Sequence, residues 1–220
     1  MDRAELFLSR CNKVAREFFN DNPIRHVKEV RKYSPNRDFY FCIYFQDHFE
    51  NPYDELLSFS PQVCIFSKEL RQKYGYGLLY HNSIQAMSPY KDHNEWNLSG
   101  AASEKTINEI IECTKYYILP VFEIFNNKEK AIGYLLANGT KFNSFSKKCL
   151  NPLLFLLKCS NKENAEIFFN DFINESIDKE VIREIYENLN DNYLLTDLVL
   201  HDFYNLDNIQ LAYNNGLKIK

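Results

Sequence analysis

Acidic and imidazole side chains crowd one short segment of the chain. Asp47, His48 and Glu50 lie almost side by side, and the carboxylates of Asp54 and Glu55 follow closely. Oxygen ligands of this kind bind divalent cations, and a bound cation can activate water for hydrolysis. The segment therefore indicates either a metal site, with Asp47, His48 and Glu50 as candidate ligands, or an ordinary solvated loop after a strand.

Several familiar catalytic patterns are missing from the sequence. Gly75-Tyr76-Gly77 begins like a dinucleotide-binding fingerprint, but the third glycine would fall at position 80, which is Tyr80. No phosphate-binding GxxxxGK[ST], nucleophile-elbow GxSxG or zinc-binding HExxH occurs. The six cysteines form no CxxC pair, which indicates reduced, buried thiols. We therefore assign no catalytic residue, expect no cofactor, and favour binding over catalysis.

Tyrosine and tryptophan cluster in a stretch that the sequence predicts to consist of turns. The candidates for contact with a partner are Tyr74, Tyr76, Tyr80 and Trp96. Large, rigid, amphipathic rings of this kind are enriched at the energetic centres of protein interfaces. The same rings would equally well cover the edge of a sheet.

The net charge of −4 conceals a gradient along the chain. Residues 1–45 carry 9 Lys/Arg against 6 Asp/Glu, whereas residues 151–220 carry 6 against 12. An acidic surface attracts basic proteins and repels nucleic acid, so a basic protein is the expected partner and nucleic acid is not. The alternative is an ordinary solvated helical face.

Hydrophobic spacing predicts the elements of the first half. Phe7, Cys11, Val14 and Phe18 recur at helical intervals, so the chain begins with an amphipathic helix. The period then changes to two over residues 39–46, after a turn signal at Ser34-Pro35-Asn36-Arg37. A hairpin with residues 25–33 follows, and short strands are expected near Val63–Phe66 and Gly77–His81, which together predict an antiparallel sheet.

After about residue 100 the pattern becomes helical. An apolar stripe over residues 103–125 predicts a helix that Pro120 either kinks or breaks. Further helices are expected at about 128–138, 151–159, 162–175, 178–189 and 205–215. The segment 138–146 is the best internal linker. It divides an α+β domain at 1–137 from an acidic helical region at 147–220 that packs on it.

The N-terminus and the hydropathy of the chain bear on its compartment. Asp2 and Glu5 stand where a signal peptide needs basic residues, and no apolar run approaches the 18 residues of a membrane-spanning helix. We therefore expect a cytoplasmic protein without a membrane partner.

Three segments carry a resemblance to a known family: residues 38–48, residues 65–71, and Trp96-Asn97-Leu98 leading into the helix that contains Pro120-Val121-Phe122. The chain resembles, over roughly residues 1–137, the bacterial family known as domain of unknown function number 4304. The resemblance implies an antiparallel sheet with flanking helices and carries over no activity and no catalytic residue. Similar small proteins often sit beside secreted toxins in bacteria and are suspected immunity proteins.

These observations predict an α+β protein with an antiparallel sheet, flanking helices and an all-helical C-terminal third. The favoured hypothesis is a bacterial immunity-type protein that occludes a basic protein partner. The alternative is a small-molecule or metal-dependent hydrolytic enzyme that uses the segment Asp47–Glu55.

Overall fold

The computed structural model describes residues 3–19, 29–47, 58–91, 96–98, 100, 103–189 and 205–220. The chain divides into two compact units. The first unit consists of residues 1–131 and 142–146, and the second consists of residues 132–141 and 147–220.

The first unit contains both helices and strands. In chain order they are α1 (Arg3–Phe19), β1 (Glu29–Tyr33), β2 (Phe39–Asp47), β3 (Ser58–Ser67), α2 (Lys68–Tyr74), β4 (Leu78–Ser83), β5 (Trp96–Asn97), α3 (Ser103–Cys113) and α4 (Leu119–Ile124). Helix α5 (Lys128–Asn138) contains the boundary between the units. The second unit continues with α6 (Leu153–Cys159), α7 (Lys162–Glu175), α8 (Lys179–Asn188) and α9 (Leu206–Asn214). No helix in the described ranges combines the length and the apolar character that crossing a membrane requires.

The strands form an antiparallel sheet in the order β1-β2-β3-β4, and the short β5 pairs with the start of β3. In the long central pair, Phe39 lies opposite Ser67 and Asp47 lies opposite Phe59. The sheet has flanking helices and a helical C-terminal part follows it, so the predicted α+β fold class is confirmed.

One face of β2 forms the centre of the first core. Phe39, Phe41, Ile43 and Phe45 alternate along the strand and are all fully buried, as the period of two predicted. The ring of Phe41 stacks on Phe122 of α4 at a centroid distance of 4.4 Å. This inner face of the sheet is therefore held against the helical segment that contains α3 and α4.

Pro120 interrupts that helical segment in a specific way. A π-helical turn at Thr114–Ile118 joins α3 to α4, and Leu119 N–H donates to the carbonyl of Thr114, five residues back. Proline has no N–H to donate and its ring clashes with the carbonyl four residues earlier. The wider turn just before Pro120 lets the chain stay helical. The predicted alternatives were a kink and a break, and the structure shows a widened helical turn that lies between them.

Helix α2 was not predicted from the sequence. The Ser67 side chain caps its start by accepting from Leu70 N–H at 3.3 Å, and Gly75 ends it with a left-handed φ of 73°. At Gly77 a Cβ atom would lie only 2.5 Å from the Ser67 carbonyl oxygen. The glycines at 75 and 77 therefore serve a tight return of the backbone.

The C-terminal tail of the second unit is held along α7 by side-chain amide bonds. Asn170 donates to the Lys218 carbonyl at 2.8 Å and accepts from Lys220 N–H at 2.7 Å. The Glu166 carboxylate accepts from Lys218 N–H at 3.1 Å. Two side chains of α7 thus supply to the tail the hydrogen bonds that the backbone of a neighbouring strand would supply.

The segment expected to be a linker is packed into the first unit at residues 142–146. Phe142 makes edge contacts with Tyr80 at 4.8 Å and with Phe125 at 5.8 Å. The Asn143 amide donates to the Met87 carbonyl at 3.0 Å. The two units divide at residue 131, whereas the expected boundary is at residue 137. Residues 142–146 belong to the first unit because they pack into its core.

Replacement of Phe122 by alanine tests the contact between the sheet and α4. We expect Phe122→Ala to lower the free energy of unfolding by about 3–5 kcal/mol, because it removes a buried ring and leaves a cavity. Tyr116→Ala removes an exposed ring from the preceding turn and should change stability by about 0.5 kcal/mol or less. Urea unfolding followed by circular dichroism measures both, and equal losses in the two variants would contradict this packing.

Candidate functional site

The outer face of the sheet carries a row of reactive side chains. Cys42 on β2 lies opposite Arg31 on β1 and Cys64 on β3, and Cys64 lies opposite His81 on β4. The period-two alternation of the strands turns this row away from the phenylalanine face. Guanidinium, thiol and imidazole groups therefore follow one another across adjacent strands.

Hydrogen bonds around Glu29 set the protonation of this row. Burial opposes ionisation of Glu29, but bonds from Arg31 Nε at 2.6 Å and from Cys42 Sγ at 3.1 Å bring its pKa below the ordinary value. Burial raises the pKa of Cys42, and the Glu29 carboxylate raises it further. Burial also raises the pKa of Cys64 to about 12 and lowers the pKa of His81. At neutral pH the thiols are protonated and the imidazole is uncharged, so the row contains no thiolate nucleophile.

A second group on the same face combines arginine with aromatic rings. Tyr40 and Phe66 stack at 4.7 Å with an interplanar angle of 9°. The Arg31 guanidinium lies 5.3 Å from the Tyr40 ring centre, and the Arg71 guanidinium lies 5.5 Å and 5.6 Å from the two ring centres. Arg71 also donates a hydrogen bond to the Tyr40 hydroxyl. These contacts hold both guanidinium groups in fixed positions at the surface.

The aromatic candidates for partner contact separate into two classes. Tyr74 and Tyr76 flank the glycine that ends α2, and each ring is about half exposed, at 51% and 50%. Tyr80 lies inside β4 and is 2% exposed, and Trp96 in β5 is 3% exposed. Tyr80 belongs both to the strand predicted near Gly77–His81 and to the stretch predicted to be turns; the strand forms and buries its ring. Trp96 was predicted to lie in a turn, but it lies buried in β5. Only Tyr74 and Tyr76 of the four present rings to a partner.

The acidic segment of the sequence lies almost entirely outside the described residues. The backbone of Asp47 ends β2, while His48, Glu50 and the rest of Asp47–Glu55 fall in the gap before residue 58. The metal site and the hydrolytic alternative therefore remain predictions. Among the residues that the structure does describe, no three His, Cys, Asp or Glu side chains are grouped closely enough to hold a metal ion.

The acidic third of the sequence places an unusual surface on α8. Ile177, just before the helix, is 99% exposed, and Val181 in its first turn is 46% exposed. Glu180, Glu184 and Glu187 follow one another at helical intervals on the same solvent side. We call these five residues the acidic ridge. It combines exposed apolar side chains at the start of α8 with exposed carboxylates along the helix.

Packing beneath the ridge fixes its orientation. Ile182, Ile185 and Leu189 lie on the opposite face of α8 and are buried. The Tyr186 hydroxyl donates to the Leu217 carbonyl, which ties the helix to the C-terminal tail. The acidic ridge is therefore presented on a helix whose other side is anchored.

Most carboxylates of the ridge lack a cation of their own. Glu180 lies 3.8 Å from the Arg183 guanidinium, whereas Glu184 and Glu187 have no ion-pair partner within the described ranges. By contrast, Lys148 on the same unit pairs with both Asp171 at 2.7 Å and Glu175 at 3.0 Å. Negative charge thus remains uncompensated at the ridge and is compensated nearby on α7.

Sequence reasoning located the acidic region but not this face. The sequence does carry a signal for this face: Ile177 and Val181 are apolar and four residues apart. They do not fit the helical spacing of the other apolar residues in the segment. Comparisons with protein-family models, with curated proteins and with solved structures find no match to this chain. The site is therefore argued from its own residues.

The protonated state of the outer thiol row has a measurable consequence. We expect Cys64 in the folded protein to react very slowly with iodoacetamide at pH 8, because a pKa of about 12 leaves only about one thiol in ten thousand as thiolate. Burial and the Glu29 contact predict the same for Cys42. Peptide mass spectrometry after timed alkylation measures both rates. The unfolded protein is the control, and equal rates in the two states would contradict the assignment.

Proposed function

We propose that this protein is a bacterial immunity-type binding protein whose acidic ridge docks on a basic protein partner and occludes it. The observation that carries the proposal is Ile177, which is 99% exposed beside uncompensated carboxylates. The acidic balance of residues 151–220 supports it, as does the resemblance to small bacterial proteins that often sit beside secreted toxins.

The apolar pair supplies the favourable free energy of docking. Burying an isoleucine or valine side chain that was exposed to water contributes about 1.5–3 kcal/mol. Ile177 lies in the turn just before α8 and Val181 lies in its first turn, so an apolar surface on the partner would have to cover both the start of the helix and the turn before it. A few buried side chains near the centre of an interface account for most of its affinity.

The carboxylates supply selectivity and speed of association. Glu184 and Glu187 repel acidic surfaces and attract basic ones, and such complementarity raises the association rate. Both lie further along α8 than the apolar pair, so an interface centred on that pair would leave them at its wetter rim. The partner that fits is therefore a protein with an apolar socket inside a lysine- or arginine-rich surface.

Occlusion follows if that surface is the partner's active site. A basic cleft that binds an anionic substrate loses access to it once the acidic ridge covers the cleft. Because α8 is anchored by its buried face, the ridge needs little ordering when it binds, which keeps the entropic cost low. We propose that this binding takes place in the cytoplasm.

Charge reversal at the ridge tests the proposal. We expect the wild-type chain to restore growth of cells that express a toxin encoded beside it, and the double variant Glu184→Lys, Glu187→Lys to lose the rescue. Binding should weaken about a hundredfold, because two attractive contacts become repulsive. Calorimetry with the purified toxin measures the affinity directly.

A matched control carries the same charge change on an exposed face of the first unit. Glu112→Lys with Glu123→Lys should rescue growth as well as the wild type does. Absence of rescue by the wild type with every adjacent toxin gene would refute the immunity role. Equal rescue by the ridge variant and the control would refute the ridge as the docking surface.

The apolar part of the ridge is tested separately. Ile177→Ser with Val181→Ser should weaken binding about tenfold or more and leave the melting temperature nearly unchanged, because neither side chain is buried in the isolated chain. Tyr116→Ser, at another exposed apolar residue, is the control. Unchanged affinity in the double serine variant would show that the ridge binds through charge alone.

A further inference from the structure

A polar cleft lies in the first unit, at the turn between β1 and β2. Its volume is about 400 Å³, which is within the range of small-molecule sites. The hairpin turn forms one wall, α2 forms another, and Lys128 completes the lining. The acidic ridge takes no part in it.

Arg37, at the mouth of this cleft, has an unusual backbone. Its φ is 61°, and it is the one non-glycine residue with a positive φ in the described ranges. The turn is closed by a bond from Arg37 N–H to the Ser34 carbonyl at 2.9 Å, and glycine is the usual residue at such a position. An arginine kept in a conformation that favours glycine indicates that its side chain has a use.

The cations of the cleft are not all neutralised by the protein. Lys128 and Lys73 both bind the Glu69 carboxylate, at 2.8 Å and 2.7 Å, and these bonds lower the pKa of Glu69 to about 2. Within the described ranges, no carboxylate lies at ion-pair distance from Arg37 or Lys68. Two cationic groups therefore face the cleft without a fixed counter-charge.

Most of the remaining lining groups are polar, and one of them, Asp38, is a carboxylate. Asp38 accepts a hydrogen bond from the Asn36 amide, which partly satisfies the only other carboxylate of the lining. Gln72 adds a side-chain amide on α2. One turn further along α2 from Lys68 lies Arg71, whose fixed guanidinium adds positive potential.

We propose that this cleft binds a phosphate group. A guanidinium offers two parallel donors to phosphate oxygens and an ammonium offers a compact point charge, so Arg37 and Lys68 together match a tetrahedral dianion. The phosphate belongs either to a small phosphorylated molecule or to the backbone of a single-stranded nucleic acid. The site is separate from the acidic ridge, so the two proposals fail or succeed independently.

Titration with three probes tests the site and distinguishes the sources. Inorganic phosphate, adenosine monophosphate and a single-stranded RNA octamer are added to the full chain, and amide NMR shifts and the melting temperature are followed. We expect shifts centred on residues 36–38 and 68–72. Comparable affinity for the monophosphate and the octamer identifies a small-molecule site, whereas much tighter and strongly salt-dependent octamer binding identifies nucleic acid.

Arg37→Gly separates binding from folding. Glycine accepts the left-handed backbone, so this variant should melt no lower than the wild type while binding phosphate about tenfold more weakly. Lys68→Gln should weaken binding similarly, and Lys105→Gln, a fully solvated lysine on α3, should not. Undiminished binding in Arg37→Gly, or no shift of these amides with any of the three probes, would overturn the proposal.

Discussion

The stacking of Phe41 on Phe122 is the contact on which the rest of the first unit depends. Side chains alternate along a strand, so burial of Phe39, Phe41, Ile43 and Phe45 against the α3–α4 segment directs the intervening residues outward. Arg31, Cys42 and the stacked Tyr40 reach the outer face for this reason alone. A slip of one residue along β2 would turn Tyr40 and Cys42 toward the core and the phenylalanines away from it, so the same contact fixes both the core and the surface chemistry.

Long periodic segments could be predicted from the sequence, and short irregular ones could not. Helix α7 begins and ends as its apolar spacing and Asn161 cap indicate, because its 14 residues give nearly four turns of pattern. Helix α2 is seven residues long, which is too short to show a helical period of apolar residues. The capping residue Ser67 was its only sequence signal. Pro120 indicated that the helix would be irregular, but the wider turn that accommodates this proline depends on tertiary packing.

The sequence predicted the negative charge of the candidate site but not how its residues are arranged in the structure. Composition alone located an acidic C-terminal third, but which carboxylates stay uncompensated depends on where Lys148 and Arg183 fall in three dimensions. Tyr80 and Trp96 resembled turn residues because breakers surround them, and pairing with β3 buried both. The guanidinium cluster depends on cross-strand register, which spacing within one strand does not reveal.

The hydrogen bonds between α7 and the C-terminal tail determine when the second unit can complete its folding. Asn170 and Glu166 bond to residues about fifty positions later in the chain. Synthesis proceeds from the N-terminus, so α7 and α8 leave the ribosome before their partners exist. The helix that carries the ridge is tied to the tail through Tyr186. It therefore reaches its final rigidity only after residues 217–220 have been translated.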